Sequence, residues 1–494
     1  MAHPRRRKAA GAKKKRAGPK TVERRLDAIR RLVEKGRPSD PDRLIRALSD
    51  PAPEVRQGAA WAIGELRDDR ARAALETCMT DPDGGVRASA CEALGLVGRP
   101  ESRGVIESAL TDPFPRVREH AAWALWAIGD HDSGVALFPL LADPEASVRW
   151  SAAVAVGRLN PPGALDALAP LLTDPNDRVR RGTILALGAT QDARVPTLVR
   201  PAIDDPVRRV RIAAAVVVGS YHDRASVPAL LRHLDRDETW VKPAVLVALG
   251  RIGERSTVPA LLAAGDDRAS WVRVCAFHAL GAMRVGEAQS LARARLKDTM
   301  WAVRGAAAEC LGRVGTPEDL PYLLSALEDA HPWPRRGALY AIGSLDLGEA
   351  APRVREELRH PMAEVRLAAV WTLGRLRDDG AREALVSLLR QVRPARGDEP
   401  AIAEGDGAVR LLSDAESRLF DTLVQALGRL SHGDSDPLIA RALLEARARL
   451  TEEELERHAR LPNPEVANGA PAPTMRLLFE TALPALADEE DFGC

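Results

Sequence analysis

The chain has 494 residues, 29% charged and only 4% aromatic, with a formal net charge of +1 at pH 7. That length exceeds what one ordinary hydrophobic core supports, and no apolar run is long enough to cross a bilayer. The five cysteines, Cys78, Cys91, Cys275, Cys310 and Cys494, are odd in number and lack metal-ligand or redox spacing, which points to a reducing, cytoplasmic setting.

Residues 1–20, MAHPRRRKAAGAKKKRAGPK, hold nine Lys and Arg and no acid, so the rest of the chain sums to −8. The segment lacks the hydrophobes to fold and reads as a disordered basic tail. Its clusters Arg5–Lys8 and Lys13–Arg16 suit nucleic acid or an acidic protein, or serve solubility alone. No apolar stretch follows, so it is not a secretory signal. Residues 21–39 read as an N-terminal capping helix, with Leu26, Ile29, Leu32 and Val33 on one face.

From residue 40 a 31-residue period takes over. A Val-Arg pair marks it at Val55-Arg56, Val86-Arg87, Val117-Arg118, Val148-Arg149, Val179-Arg180 and Val210-Arg211, then as Val241-Lys242, Val272-Arg273, Val303-Arg304, Pro334-Arg335 and Val365-Arg366. Nine residues past each anchor stands a glycine, with Trp126 as the exception. Five before it stands an aspartate, with Arg236 and His360 as exceptions. A fixed period means stacked supersecondary units. Within a unit, Asp143–Gly157 reads as an Asp-Pro turn and a second helix, B; Leu165–Leu172 reads as the first helix, A, of the next unit. A glycine inside helix B costs about 1 kcal/mol against alanine, so its recurrence points to close helix-to-helix approach.

The array runs over residues 40–390. Residues 391–414, rich in Gly, Pro and charge, read as an insertion loop of a kind that either binds or is merely tolerated. Residues 415–461 read as a last repeat, with Gly428 in the glycine column, and a C-terminal cap. Residues 462–494 read as a linker, a short amphipathic helix from Met475 to Leu486 and an acidic tail.

The Asp-Pro turn, the Val-Arg anchor and the Ala-Leu-Gly ending resemble the short HEAT-like repeats of the phycobilisome-lyase type, over roughly residues 40–390. The resemblance implies an all-α, right-handed solenoid of about twelve 31-residue helix pairs. It also implies that Asp and Arg form a hydrogen-bonded ladder between units: Asp50 and Arg56, Asp81 and Arg87, Asp112 and Arg118, Asp143 and Arg149, Asp174 and Arg180, Asp205 and Arg211. These columns are structural.

Where copies differ, function is sought. Four consecutive units place a tryptophan in the turn before helix B: Trp240, Trp271, Trp301 and Trp333. With units roughly 10 Å apart, the rings form a stripe along one edge, either exposed as interface anchors or packed on neighbouring turns. Two and six residues past the anchor, on one face of helix B, the central units are apolar: Trp150 and Val154, Leu185, Ile212 and Val216, and Val247. With helix B on the concave side, that strip suits an amphipathic helix or an extended peptide unless curvature buries it.

No metal, cofactor or catalytic motif stands out. Metal-dependent deoxyhypusine hydroxylases of the family use paired His-Glu dipeptides. The chain offers only the reversed Glu119-His120, and His131-Asp132 and His222-Asp223 read as turn residues. The expectation is a non-enzymatic scaffold binding a protein or peptide, with no cofactor and no membrane association. Other possible roles are a bilin-lyase-like or chaperone-like subunit, and a nucleic-acid-associated protein acting through residues 1–20.

Overall fold

The computed structural model describes residues 19–35, 41–129, 131–236 and 240–391, with Thr422, Leu423, Ala426, Leu427 and Leu430 beyond. The tail up to residue 18, almost all of the insertion at 391–414, most of 415–461 and all of 462–494 lie outside the described residues. The described residues form helices and turns without a strand, arranged as an all-α solenoid in two compact units, Met1–Ala229 and Leu230–Cys494.

In unit 1 the second helices are α1 (Pro19–Lys35), α2 (Pro53–Leu66), α3 (Gly84–Val97), α4 (Pro115–Ile128), α5 (Ala146–Leu159), α6 (Asp177–Thr190) and α7 (Arg208–Ser220). In unit 2 they are α8 (Lys242–Ile252), α9 (Ser270–Ala282), α10 (Trp301–Val314), α11 (Pro332–Ser344) and α12 (Ala363–Leu376). Within each unit, every one packs on the next.

The first helix of each pair is less regular than the periodicity predicts. The stretch at 165–172 divides into an α-helical turn, Ala164–Leu168, and a 3-10 segment, Ala169–Thr173. Pro170 has no N–H to give to an α-helical ladder, so the chain tightens there. Pro201 sits in the same way in Arg200–Asp204, and His131–Ala142 is 3-10 throughout with Pro139 inside. These segments still contribute a core column at the same 31-residue period: Leu44, Leu75, Ile106, Leu137, Leu168 and Val199 in unit 1, and Leu230, Leu261, Ala292, Leu323, Val354 and Leu385 in unit 2. All twelve are fully buried.

The glycine column marks where second helices touch backbone to backbone. A Cβ on Gly157 would lie 2.5 Å from Ala186 Cα, and one on Gly95 would lie 2.8 Å from Ala124 Cα. Gly250 meets Ala279 and Gly312 meets Ala341 in the same way. Gly374 meets Ala426, which restores this contact beyond the insertion.

The turn ahead of each second helix is fixed by one arginine. Arg149 Nε and Nη2 donate to the Asp174 carboxylate of the following repeat at 2.7 and 2.9 Å, while Nη1 donates to its own repeat's Asp143 carbonyl at 2.8 Å. The rung therefore runs 25 residues forward and its anchor six residues back. Arg56–Asp81, Arg87–Asp112, Arg118–Asp143 and Arg180–Asp205 repeat it in unit 1. In unit 2 Lys242–Asp267, Arg273–Asp298 and Arg304–Asp329 follow. Arg211 donates Nη1 to the Asp205 and Pro206 carbonyls.

Two further rungs have no counterpart in the sequence columns. Arg25 of α1 reaches Asp50 at 2.6 Å, so the capping helix stands in the place of a second helix. Arg335 pairs with Glu357, which is buried three residues ahead of His360. Each ladder aspartate also accepts the backbone N–H two residues on, as Asp143 does from Glu145 at 2.9 Å. Burial pushes the Asp143 carboxyl up, but the Arg118 fork and the Glu145 amide pull harder and leave it below the ordinary aspartate value. Asp81, Asp112, Asp174, Asp205, Asp298 and Asp329 are lowered for the same reasons.

Carboxyls lowered by folding stabilise the native state above the unfolded aspartate value of about 3.9, and that stability is lost as pH falls through the folded values. Thermal melts followed by circular dichroism should therefore show a falling Tm as pH drops from about 5 toward 3. Asp143→Asn should flatten that slope. A second expectation concerns the helix contacts. Gly157→Ala should lower the urea midpoint by the equivalent of about 1–3 kcal/mol, because the added methyl meets backbone. Gly104→Ala, with nothing within 4 Å of the new Cβ, should be neutral or raise it by up to about 1 kcal/mol.

Candidate interaction surface on the second helices

Positions one before, two after and six after each anchor lie three and four residues apart, so they share one helix face. In unit 2 this puts Trp271 and Trp333, each one before its anchor, on the face of the positions two and six past it; Trp301, two before its anchor, lies four residues from Gly305 on the same face, and Trp240 lies just ahead of α8. On α11 the contact is direct: the Arg336 guanidinium, two past its anchor, lies 3.9 Å from the Trp333 ring centroid, one before it.

In unit 2 the four turn tryptophans divide into two pairs. Trp240 and Trp271 are 53% and 50% exposed. Trp301 and Trp333 are half-buried. Trp301 stacks on His331, with ring centroids 4.2 Å apart and planes 8° apart, and meets Trp333 at 5.8 Å and 38°. Met300 and Met362, residues that directly precede α10 and α12, are 40% and 44% exposed and add to the same helix ends. Neither methionine stands out in the repeat pattern, although both stand three before their anchors, a position they share with the exposed Phe114.

Further along the face, Arg336 Nη2 donates to Glu309 Oε1 at 3.1 Å, and His278 Nδ1 lies 3.9 Å from Glu309 Oε2. Burial pushes the His278 imidazolium's pKa down; Glu309 opposes this, and the Arg313 and Arg336 charges reinforce it. Burial lowers His331 as well, against the pull of Asp329. A neutral His331 suits its position, since its Nδ1 accepts the Trp333 N–H at 3.3 Å. Tyr340 and Trp371 meet edge to face at 5.3 Å.

In unit 1, Leu185 is 45% exposed, while Trp150, Val154, Ile212 and Val216 are half-buried. Val247, expected in the same strip, is only 5% exposed: it is enclosed in unit 2, where α8 lies against α9, and offers no binding surface.

Reactive chemistry is scarce among the described residues. Burial pushes the Cys275 and Cys310 thiols up to about 12 and Cys91 higher still. No group of three or more His, Cys, Asp and Glu is placed to hold a metal ion among the described residues. Asp223, beside His222, accepts the Arg200 fork at 3.0 and 3.1 Å and the Ser226 hydroxyl, so it organises a turn.

Helix pairs at a fixed period, joined rung by rung, define a helical-repeat solenoid. The chain belongs to the HEAT-repeat family, whose pattern matches residues 19–95, 77–151, 134–219, 197–281, 266–343 and 320–398. Among curated proteins no sequence matches it. Its fold is similar to that in a solved Kap95:Nup1 complex, at 14% identity and a TM-score of 0.61, covering 90% of this chain and 72% of that one. It is also similar to importin beta crystallised in ammonium sulfate, at 13% identity and 0.54, covering 96% and 74%. A structure of Kap95p with RanGDP gives 12% identity and 0.52, covering 89% and 71%. At these identities the likeness concerns fold alone. Among the described residues, no helix is long and apolar enough to cross a membrane.

Exposure separates the tryptophans in a way solution measurements can check. Replacing Trp240 and Trp271 together by Phe should remove a large share of the fluorescence quenchable by acrylamide, with the 41%-exposed Trp61 supplying much of the rest. Replacing Trp301 and Trp333 should remove much less. Equal losses would contradict the arrangement.

Proposed function

We propose that the chain is a non-enzymatic scaffold that holds a protein or peptide partner on the second-helix surface, with the tryptophan-bearing edge of unit 2 as its main anchor. The observation that carries the proposal is the half-exposure of Trp240 and Trp271 beside Trp301, Trp333, Met300 and Met362. Aromatic and methionine side chains are enriched at protein interfaces, where a few large anchors supply most of the binding energy. A row of them at consecutive helix ends gives a partner several anchors on a rigid base. Trp150, Val154, Leu185, Ile212 and Val216 supply a second contact region on unit 1.

The solved structures of similar fold lend support by analogy, because two of them are described as complexes with Nup1 and with RanGDP. The 31-residue period and the Asp-Pro turn favour kinship with the phycobilisome-lyase type of repeat. Buried, unpaired cysteines are consistent with a cytoplasmic site of action.

Affinity capture with the full chain tests the proposal. The bound proteins are compared with those held by a variant carrying Trp240→Ala, Trp271→Ala and Trp333→Ala, after unchanged melting shows that its fold is intact. At least one partner should drop about tenfold or more, as loss of interface anchors predicts. If every captured protein survives the change, the tryptophan edge is not the anchor.

A further inference from the structure

On unit 1 the same helix face has a different chemistry. Together α5, α6 and α7 hold eight arginines and a single acid, Asp177. Three of the eight, Arg149, Arg180 and Arg211, belong to the repeat turns, and Asp177 acts on one of them, Arg180. Arg158 and Arg178 are exposed and make no ion pair among the described residues. Each lies over a tryptophan instead. Arg158 is 4.8 Å from the Trp126 ring centroid, across the α4–α5 contact, and Arg178 is 4.5 Å from that of Trp150, across the α5–α6 contact.

Stacking fixes a guanidinium plane without using its N–H donors. Both arginines are thus held ready for an incoming carboxylate, with little side-chain entropy left to lose. Trp150 and Arg158 lie eight residues apart on α5, about 12 Å along the helix axis. Between these ends on α5 lies Val154, with the 45%-exposed Leu185 on the adjoining α6 and Ile212 and Val216 beyond it on α7. The surface is an aliphatic strip with a stacked cation at either end.

Resting on the scaffold function proposed above, we infer that this face of unit 1 receives an acidic segment of a partner protein whose carboxylates flank leucine or similar aliphatic side chains. Charge complementarity selects the acidic partner: Arg158 and Arg178 stand exposed on this face over tryptophan rings, and no carboxylate pairs with either among the described residues. The exposed apolar surface selects the aliphatic residues. Single-stranded nucleic acid would need open aromatic planes for its bases, and here the arginines cover the Trp126 and Trp150 rings.

The test is fluorescence anisotropy with the full chain and a labelled peptide of repeated Glu-Leu-Leu-Asp. A peptide of repeated Lys-Leu-Leu-Arg and an oligothymidine serve as comparison probes. The acidic peptide should bind tightest and weaken as salt is raised. Arg158→Gln with Arg178→Gln should weaken it about tenfold or more, as loss of a charge pair at an interface does. Leu185→Asp, an exposed substitution that leaves melting unchanged, should weaken it comparably. Trp240→Ala with Trp271→Ala, in unit 2, should leave it intact. The inference is overturned if the basic peptide or the oligothymidine binds as tightly, or if the arginine pair is without effect. Should the acidic peptide fail while captured proteins still depend on Trp240 and Trp271, this inference alone falls. Should that dependence vanish too, the scaffold surface falls with it.

Discussion

From Arg56 to Arg180, and again at Arg273 and Arg304, the arginine after the valine anchor does two things with one guanidinium. Two of its N–H groups grip the carboxylate of the next repeat, and a third holds the carbonyl of its own turn, as Arg118 does with Asp143 and Asp112. Because the fork is planar, both contacts must be satisfied in one geometry. A repeat can neither rotate nor slide against its neighbour without breaking a charge-assisted pair that is largely removed from water. Such pairs contribute less to net stability than their number suggests, because desolvation offsets much of the attraction. Their main effect is to fix register.

With register fixed by the rungs, the glycine column acquires its purpose. Gly157 against Ala186 lets two helices approach until backbone meets methyl. At the close contacts only small side chains fit, while bulky residues fill the core column, as Leu168 and Leu261 do, or lie over a neighbouring helix's glycine, as Trp371 does over Gly343. Trp240 and Trp271, at the helix ends, stay about half exposed.

Much of this was legible in the sequence. The Asp, Val-Arg and Gly columns give the period, the order of helices and the residues that join the repeats. What was not legible has physical causes. The column comparison could not tell that Arg149 grips Asp174 rather than the nearer Asp143, because both spacings recur equally. Glu357 escaped because a longer side chain reaches the rung from a different position in the chain. Arg25 escaped because no valine precedes it. The edge stripe and the face strip look separate in sequence, and only the contact of Arg336 with Trp333 joins them. Exposure was the least legible property: Val247 and Leu185 occupy the same position in the repeat, yet one is buried and the other open.

The five rungs from Arg56–Asp81 to Arg180–Asp205 join chemically equivalent atoms at the same forward spacing. Removing or duplicating a whole repeat would bring together an arginine and an aspartate indistinguishable from those separated. The length of the array is therefore not set by the fold. A lineage can shorten or extend this chain in whole repeats by recombination within the gene. The length of the second-helix face can then be selected without redesigning the joints that support it.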